Sequence, residues 1–351
     1  MSDGLLMDVR HLHVSYRARR GQRLLAVDGV DLAVGEGDVL CIVGESGSGK
    51  STVGKAMLGL IPASGGEIGF DGMDLTTMGS RALRKLRSRM QMIFQDPYAS
   101  LDPRMTIGEI IAEPLTIHHG GSLRRHRERV LGAMRDVGLV PTLIDSYAHE
   151  LSGGQRQRVG IARALILEPA LIIADEPVAA LDVSIQAQVV NLLQDLQRTR
   201  RLTMIVISHD LAVVRHLADR VAVMYSGRIV EYGDRVSIYE HPSHPYTQAL
   251  LSAAPIPVPE IERSRERIVL EGEPPSPFSR PEGCRFSSRC PLRAALGNPE
   301  ICATDDPMLL DVGDSADHTA ACHFTRFAPT EVDGDIASLR LHPHDKGEKE
   351  L

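Results

Sequence analysis

Eight residues, Gly44-Glu45-Ser46-Gly47-Ser48-Gly49-Lys50-Ser51, follow the pattern G-x-x-x-x-G-K-S. Glycine reaches backbone dihedrals closed to other residues, so such a run can turn several N–H groups inward around phosphate oxygens. Lys50 is placed to reach the β- and γ-phosphates of a nucleotide, and the Ser51 hydroxyl to ligate magnesium. A second set, Asp175 and Glu176, closes the apolar run Leu171-Ile172-Ile173-Ala174. A carboxylate at the end of a buried parallel strand can face a bound magnesium, which suits Asp175. Glu176 is placed to polarise a water that attacks the γ-phosphate. By themselves the two acids could be a surface pair; with the glycine loop they complete a nucleotide–magnesium site. A third set is Leu151-Ser152-Gly153-Gly154-Gln155, ahead of a helical pattern over 156–166. Ser152 and the two glycines can present a hydroxyl and N–H groups at a helix N-terminus, which is either an anion site or a capped helix start.

These residues need elements to hold them. Val39-Leu40-Cys41-Ile42-Val43 has the continuous apolar character of a buried parallel strand, and Ser51 to Leu58 reads as a helix. Strand, loop and helix together put the phosphates at a positive helix N-terminus. Leu12, Val14 and Tyr16 alternate with polar residues as on a half-buried strand, and a basic loop, Arg17 to Arg23, leads to a strand around 27–34. Strands are also expected at 67–70, 91–94, 170–174 and 203–207, with a hairpin around Ser226-Gly227. Helices are expected at 80–90, 184–198 and 210–218. The first carries Arg81, Arg84, Lys85, Arg87 and Arg89, which reads as a solvated face, with contact to anionic headgroups as the alternative. From Thr106 to about Glu150 helical spacing prevails, the pattern of a helical insertion. Strands alternating with helices argue an α/β fold with a mainly parallel sheet. Past Ala254, Pro255, Pro257 and Pro259, then Pro274, Pro275 and Pro277, mark a linker into a separate, loop-rich appendix. Asp333 to Leu351 is polar and expected to be disordered.

The chain has 351 residues, enough for more than one lobe. Its 43% apolar and 24% charged residues are ordinary for a soluble protein. A net charge of −7 gives no reason to expect nucleic-acid binding, and the absence of Trp argues against base-stacking platforms. No apolar run approaches the ~20 residues of a membrane-spanning helix, and the first residues lack a secretory pattern.

Read in order, the glycine loop, Gln95, LSGGQ, Ala174-Asp175-Glu176 and Ser208-His209-Asp210 resemble the nucleotide-binding subunits of ATP-binding-cassette (ABC) transporters over roughly residues 8–254. The resemblance implies a P-loop NTPase with a RecA-like core, an antiparallel β subdomain and a helical subdomain about 96–165. It makes residues 1–254 the cassette, 255–328 an oligopeptide-transporter-type extension and 329–351 a tail. Gly44 to Thr52 becomes the Walker A loop, with Gly44, Glu45, Ser46, Gly47, Ser48, Gly49, Lys50, Ser51 and Thr52 around ATP. Ser51, Gln95 and Asp175 become the magnesium set, Glu176 the catalytic base with Lys50 and Gln95 beside it in the catalytic set, and Gln95 also the Q-loop glutamine that senses the γ-phosphate and the membrane partner. His209 becomes the switch histidine, Leu181-Asp182 part of the D-loop, and Tyr16 the aromatic on adenine, although a lone Tyr on a strand is as readily packing. The family pairs two cassettes head to tail, each ATP lying between one Walker A loop and the other's Ser152, Gly153, Gly154 and Gln155. The implied partners are a second ATPase subunit, a sister chain or a second copy, two transmembrane permeases and, indirectly, an extracytoplasmic solute-binding protein. The implied location is peripheral, at the cytoplasmic face of the membrane.

Within the family, Phe94-Gln95-Asp96-Pro97-Tyr98 through Arg104, Asp175-Glu176-Pro177-Val178 through Gln188, and His244-Pro245-Tyr246-Thr247 resemble the oligopeptide/dipeptide branch, most closely its second ATPase. Ala179 departs from the small hydroxyl residue usual there. Relatives that import nickel, glutathione or sugars leave the solute open. Cys41 sits alone in an apolar strand and reads as packing. Cys284, Cys290, Cys302 and Cys322 crowd the appendix, with five, eleven and nineteen residues between successive cysteines. That spacing is not a common zinc-finger one. It resembles a C-terminal motif of peptide-importer ATPases that in some members holds a 4Fe–4S cluster. Zinc, a site mixed with His318 or His323, and free thiols are the alternatives.

Overall fold

The structure, a computed structural model, describes residues 4–17, 23–179, 181–254, 267–276, 278, 281–313 and 317–325. Most of the basic loop after Arg17, the first linker prolines, Pro277 and the polar end Asp333–Leu351 lie outside the described residues. The strands in chain order are β1 (Leu5–Arg17), β2 (Arg23–Gly35), β3 (Val39–Val43), β4 (Gly65–Phe70), β5 (Met73–Asp74), β6 (Met90–Ile93), β7 (Leu171–Asp175), β8 (Thr203–Ser208), β9 (Arg220–Tyr225), β10 (Arg228–Asp234), β11 (Leu310–Asp311) and β12 (Thr319–Ala320). The main helices are α1 (Lys50–Met57), α2 (Ser80–Leu86), α3 (Ile107–His119), α4 (Leu123–Asp136), α5 (Gly153–Leu165), α6 (Val183–Arg200), α7 (Leu211–Leu217), α8 (Arg235–Glu240) and α9 (Pro245–Ala253).

Two sheets form. One is antiparallel, in the order β2-β1-β4-β5. The other runs β11-β12-β10-β9-β3-β8-β7-β6, and its five strands from β9 to β6 are parallel. Successive side chains of a strand point to opposite faces, and here both faces are covered. Val39, Cys41 and Val43 of β3 join the core shared with the helical region, while Leu40 and Ile42 join the core under α1 and the antiparallel sheet. β7 and β8 divide in the same way, Ile172 and Val206 to one side, Ile173 and Ile207 to the other. This explains why these strands read as unbroken apolar runs. The helical insertion is held by Ile107, Ile110, Ile111, Leu115, Val130 and Met134, all buried. A capping box starts α3: the Thr106 hydroxyl accepts from the Glu109 N–H, and the Glu109 carboxylate accepts from the Thr106 N–H.

The appendix that prolines set apart in sequence is not set apart in space. β12 pairs antiparallel with β10, Glu231 opposite Ala320 and Tyr232 opposite Thr319, and β11 pairs with β12. Phe286 is fully buried, with ring centroids 5.2 Å from Tyr225 and 5.4 Å from Tyr246. An apolar side chain of that size cannot stay in water cheaply, and the cassette supplies the aromatic slot for it. The seam also holds a buried acid. Glu231 accepts from the N–H groups of Ser243 (2.7 Å) and His244 (3.0 Å), and pairs with His318 Nε2 at 2.8 Å.

His244 lies at this seam, its Nδ1 accepting from the Tyr246 N–H at 3.0 Å and starting α9. Burial pushes its pKa down to about 4. The folded ring is therefore neutral where the unfolded one, with its ordinary value of 6.5, begins to charge. Its contribution to stability is complete above pH 6.5 and is lost as the pH falls toward 4. Urea midpoints should drop across that window, and His244→Asn, which keeps an acceptor for the Tyr246 N–H, should flatten the drop; a variant with the unchanged slope would exclude His244 as its source.

Candidate functional site

The glycine loop links the end of β3 to the start of α1, as its sequence implies. Gly44, Gly47 and Gly49 have φ of 151°, 79° and 104°. A Cβ on Gly44 would stand 2.1 Å from the Met224 carbonyl oxygen, and one on Gly49 2.3 Å from that of Ala26. Both obstacles are backbone, so no rotamer change relieves them. Inside the loop the Lys50 ammonium donates to the carbonyls of Gly44 and Glu45, each at 2.8 Å. Lys50 is buried, and burial lowers its pKa against the pull of Glu176, Asp175 and Glu45. Ser48 is buried too, and its hydroxyl has no partner among the described residues, an available polar group in an anion cradle.

The acids at the end of β7 sit beside the loop. The Ser51 hydroxyl donates to Asp175 Oδ1 at 2.7 Å. Burial raises the Asp175 pKa, and the bond from Ser51 opposes that rise. Next along the chain, Glu176 has φ 45°, left-handed for a residue that is not glycine, and its N–H donates to the Ile207 carbonyl at 2.9 Å. Strain of this kind collects at functional positions. One Glu176 oxygen accepts from Gln95 Nε2 at 2.8 Å, and the other lies 3.4 Å from His209 Nδ1. Gln95, expected both in the catalytic set with Glu176 and in the magnesium set, is bonded here to Glu176.

A cavity of about 1030 Å³ opens over the loop. Tyr16, the residues from Gly44 to Thr52, Gln95, Glu176 and His209 line it. Tyr16 is two-fifths exposed, so its ring faces the cavity as well as the strand. The C-terminal segment lines it too, through Pro274, Pro275, Phe278 and Arg285, none of which the sequence marked as site residues. Ser152, Gly153, Gly154 and Gln155 are not in this cavity. They start α5, where the Ser152 hydroxyl accepts from the Gln155 N–H and the Gln155 side chain accepts from the Ser152 N–H. Gly154 is pressed against Ile185 of α6 and Gly153 faces Leu181. Asp182 caps α6 through its backbone carbonyl and is exposed. The chain alone thus brings together the expected nucleotide-site residues except this second group. A separate groove of about 660 Å³, beside Gln95, is lined by Phe94, Glu113, Ile117 and Arg163.

Cys284, Cys290, Cys302 and Cys322 converge on one small cavity of about 20 Å³, with Phe286, Leu292 and Phe324 around them. All four are free thiols, and burial raises their pKa, for Cys284 and Cys322 to about 12. Among the described residues, no group of three or more His, Cys, Asp or Glu is arranged to hold a metal ion. Cys41 is buried in β3, as packing requires. No helix among the described residues is long and apolar enough to cross a membrane.

Comparison with known proteins matches this geometry to a family. Residues 27–179 match the ABC transporter model, and residues 230–295 match the model for the C-terminal region of oligopeptide/dipeptide transporters. The oligopeptide transport ATP-binding protein OppF of Salmonella typhimurium is 54% identical over 314 residues, 87% of this chain and 92% of that protein. OppF of Haemophilus influenzae is 50% identical over 91% of this chain and 96% of that protein. A putative peptide import ATP-binding protein of Brucella ovis is 51% identical over 92% and 98%. Among solved structures, the ATP-binding cassette MJ0796, a dimer in a post-hydrolysis state bound to ADP and Pi, superposes with a TM-score of 0.60 at 29% identity, over 65% of this chain and 98% of that one. The fold is the α/β cassette fold. With half its residues identical to such relatives over nearly its whole length, the chain belongs to the ABC transporter ATPases, in the oligopeptide/dipeptide transporter branch.

Proposed function

We propose that the chain is an ATP-hydrolysing subunit that powers import of oligopeptides or dipeptides. The observation that carries this reading is the placement of Glu176 at the mouth of the phosphate cavity, both its oxygens engaged by Gln95 and His209. A base held from two sides needs little reorganisation to take a proton from an attacking water. Gly44 to Thr52 surround the phosphates with N–H groups at the N-terminus of α1. The Ser51 hydroxyl and Asp175, hard oxygen donors already in contact, would hold magnesium, which would neutralise charge on the phosphates. Gln95, bonded here to Glu176, would link that centre to the adjoining groove. Tyr16 would stack on the base.

Ser152, Gly153, Gly154, Gln155 and Asp182 lie away from their own chain's cavity, which supports a head-to-tail dimer in which they serve a second cassette's ATP. That partner is a sister subunit or a second copy. The groove beside Gln95, with exposed Phe94 and Ile117, suits a permease segment, and two permeases would hold the chain peripherally at the cytoplasmic face of the membrane. The names of the relatives support peptides as cargo. An extracytoplasmic solute-binding protein would deliver them.

A second reading concerns the appendix. Four thiols lining one apolar cavity offer the donor type and number that a 4Fe–4S cluster or a four-sulfur zinc site takes, although they do not stand arranged around a metal position here. Bound metal would supply the positive charge that their burial otherwise denies to thiolates.

With permeases and the second ATPase present, Glu176→Gln should bind ATP, retain the closed dimer and lose turnover by about a hundredfold or more; unchanged turnover would remove Glu176 from its role. Protein purified without oxygen should carry either about four iron atoms and a brown colour or about one zinc per chain by elemental analysis. Neither metal above trace would leave four plain thiols and refute the second reading.

A further inference from the structure

The phosphate loop carries a negative charge of its own. Glu45 is its second residue and lines the cavity that a triphosphate would enter. An unpaired carboxylate there opposes a polyanion, because like charges in a cleft with low-dielectric walls repel strongly. The C-terminal segment supplies the counter-charge. Arg289 donates to both Glu45 oxygens, at 2.9 and 3.3 Å, a two-pronged contact suited to a planar guanidinium. Its side chain is only 8% exposed, and it also donates to the Tyr225 hydroxyl at 3.4 Å.

The same segment supports the loop indirectly at a second point. Arg285 donates to the Ser226 carbonyl and pairs with the buried Asp28. The next residue, Gly227, donates its N–H to the Ser48 carbonyl of the loop at 2.9 Å. Between the two arginines, Phe286 packs on Tyr225 and Tyr246, and the Tyr246 hydroxyl accepts from the Glu45 N–H at 2.8 Å. Arg285, Phe286 and Arg289 all stand between Cys284 and Cys290, a stretch in which the cysteines alone drew notice.

We propose that Arg289 is a positioning residue of the nucleotide site: it pairs with Glu45, so that the phosphate loop meets its ligand with the loop's own carboxylate already neutralised. Arg289 is not among the residues that line the cavity; it acts through Glu45. The inference rests on the nucleotide-site reading above and adds that the C-terminal segment sets the affinity of that site for highly charged nucleotides.

Calorimetric titration of the full chain with MgATP and with AMP tests it, using the unsubstituted chain, Arg289→Ala, Arg289→Lys and the double variant Arg289→Ala/Glu45→Gln. Arg289→Ala should weaken MgATP by about tenfold and AMP by much less, with Arg289→Lys in between. The double variant should bind MgATP several-fold more tightly than Arg289→Ala, because removing the stranded carboxylate removes the repulsion. A structural role alone would weaken both nucleotides alike and leave the double variant no better, and either result overturns the inference. Equal MgATP affinity in Arg289→Ala and the unsubstituted chain overturns it as well. Should Arg289→Ala melt too low for titration, Arg289→Lys and Arg289→Gln carry the same comparison. An unsubstituted chain that binds no MgATP refutes the nucleotide-site reading itself, a different result from binding that ignores Arg289.

Discussion

A lysine ammonium with almost no access to water is the constraint that the rest of the site obeys. Lys50 is 4% exposed. An ion taken that far from solvent has to find its hydrogen bonds inside the protein, and Lys50 finds two in the carbonyls of its own loop. To aim those carbonyls inward the loop must curl through positive φ at Gly44, Gly47 and Gly49. To keep the curl it must lie against the backbones of β2 and β9, close enough that a single methyl would collide. The strands on either side, the start of α1 and the acids at the end of β7 are thereby placed within a few ångströms of one another. Asp175 shows the converse: burial works against its charge while Ser51 and the nearby lysines favour it. Two desolvated groups of opposite sign flank the start of one helix, a field that an anion with its metal can complete.

Much of this was legible in the sequence because it depends on short-range rules. The unbroken apolar runs gave the buried parallel strands, since both faces of β3, β7 and β8 are covered. Glycine spacing gave the loop, and the carboxylates after Ala174 gave the second half of the site. Even the separation of LSGGQ from the cavity agrees with a reading in which it serves another cassette. Other features were hidden because they join residues far apart in the chain. Nothing near Glu45 announces Arg289 or Tyr246, and nothing in the two short strands 310–311 and 319–320 has the length or alternation that marks a strand. The prolines after Ala254 signalled a separate lobe. Local stiffness says where a chain changes direction, not whether it comes back.

It does come back, and on two levels. The aromatic slot around Phe286 and the buried acid Glu231 with His318 join the appendix to the sheet. Of the arginines between the first two cysteines, Arg289 reaches from that seam to the phosphate loop and Arg285 to the turn between β9 and β10 beside it. The four thiols share their cavity with Phe286, so the chemistry they adopt is separated from the loop by two rings, Phe286 and the Tyr246 that holds Glu45.

The pairing of β12 with β10 bears on how the chain is made. The sheet grows from β9 to β10 while the ribosome still has the whole appendix to add, so until Thr319 and Ala320 emerge β10 shows an open edge. Open edges invite other strands, and nascent chains on neighbouring ribosomes are the nearest supply. A transcript cut short, or a ribosome stalled in the proline-rich linker, releases a cassette with its parallel core formed and its flank unguarded.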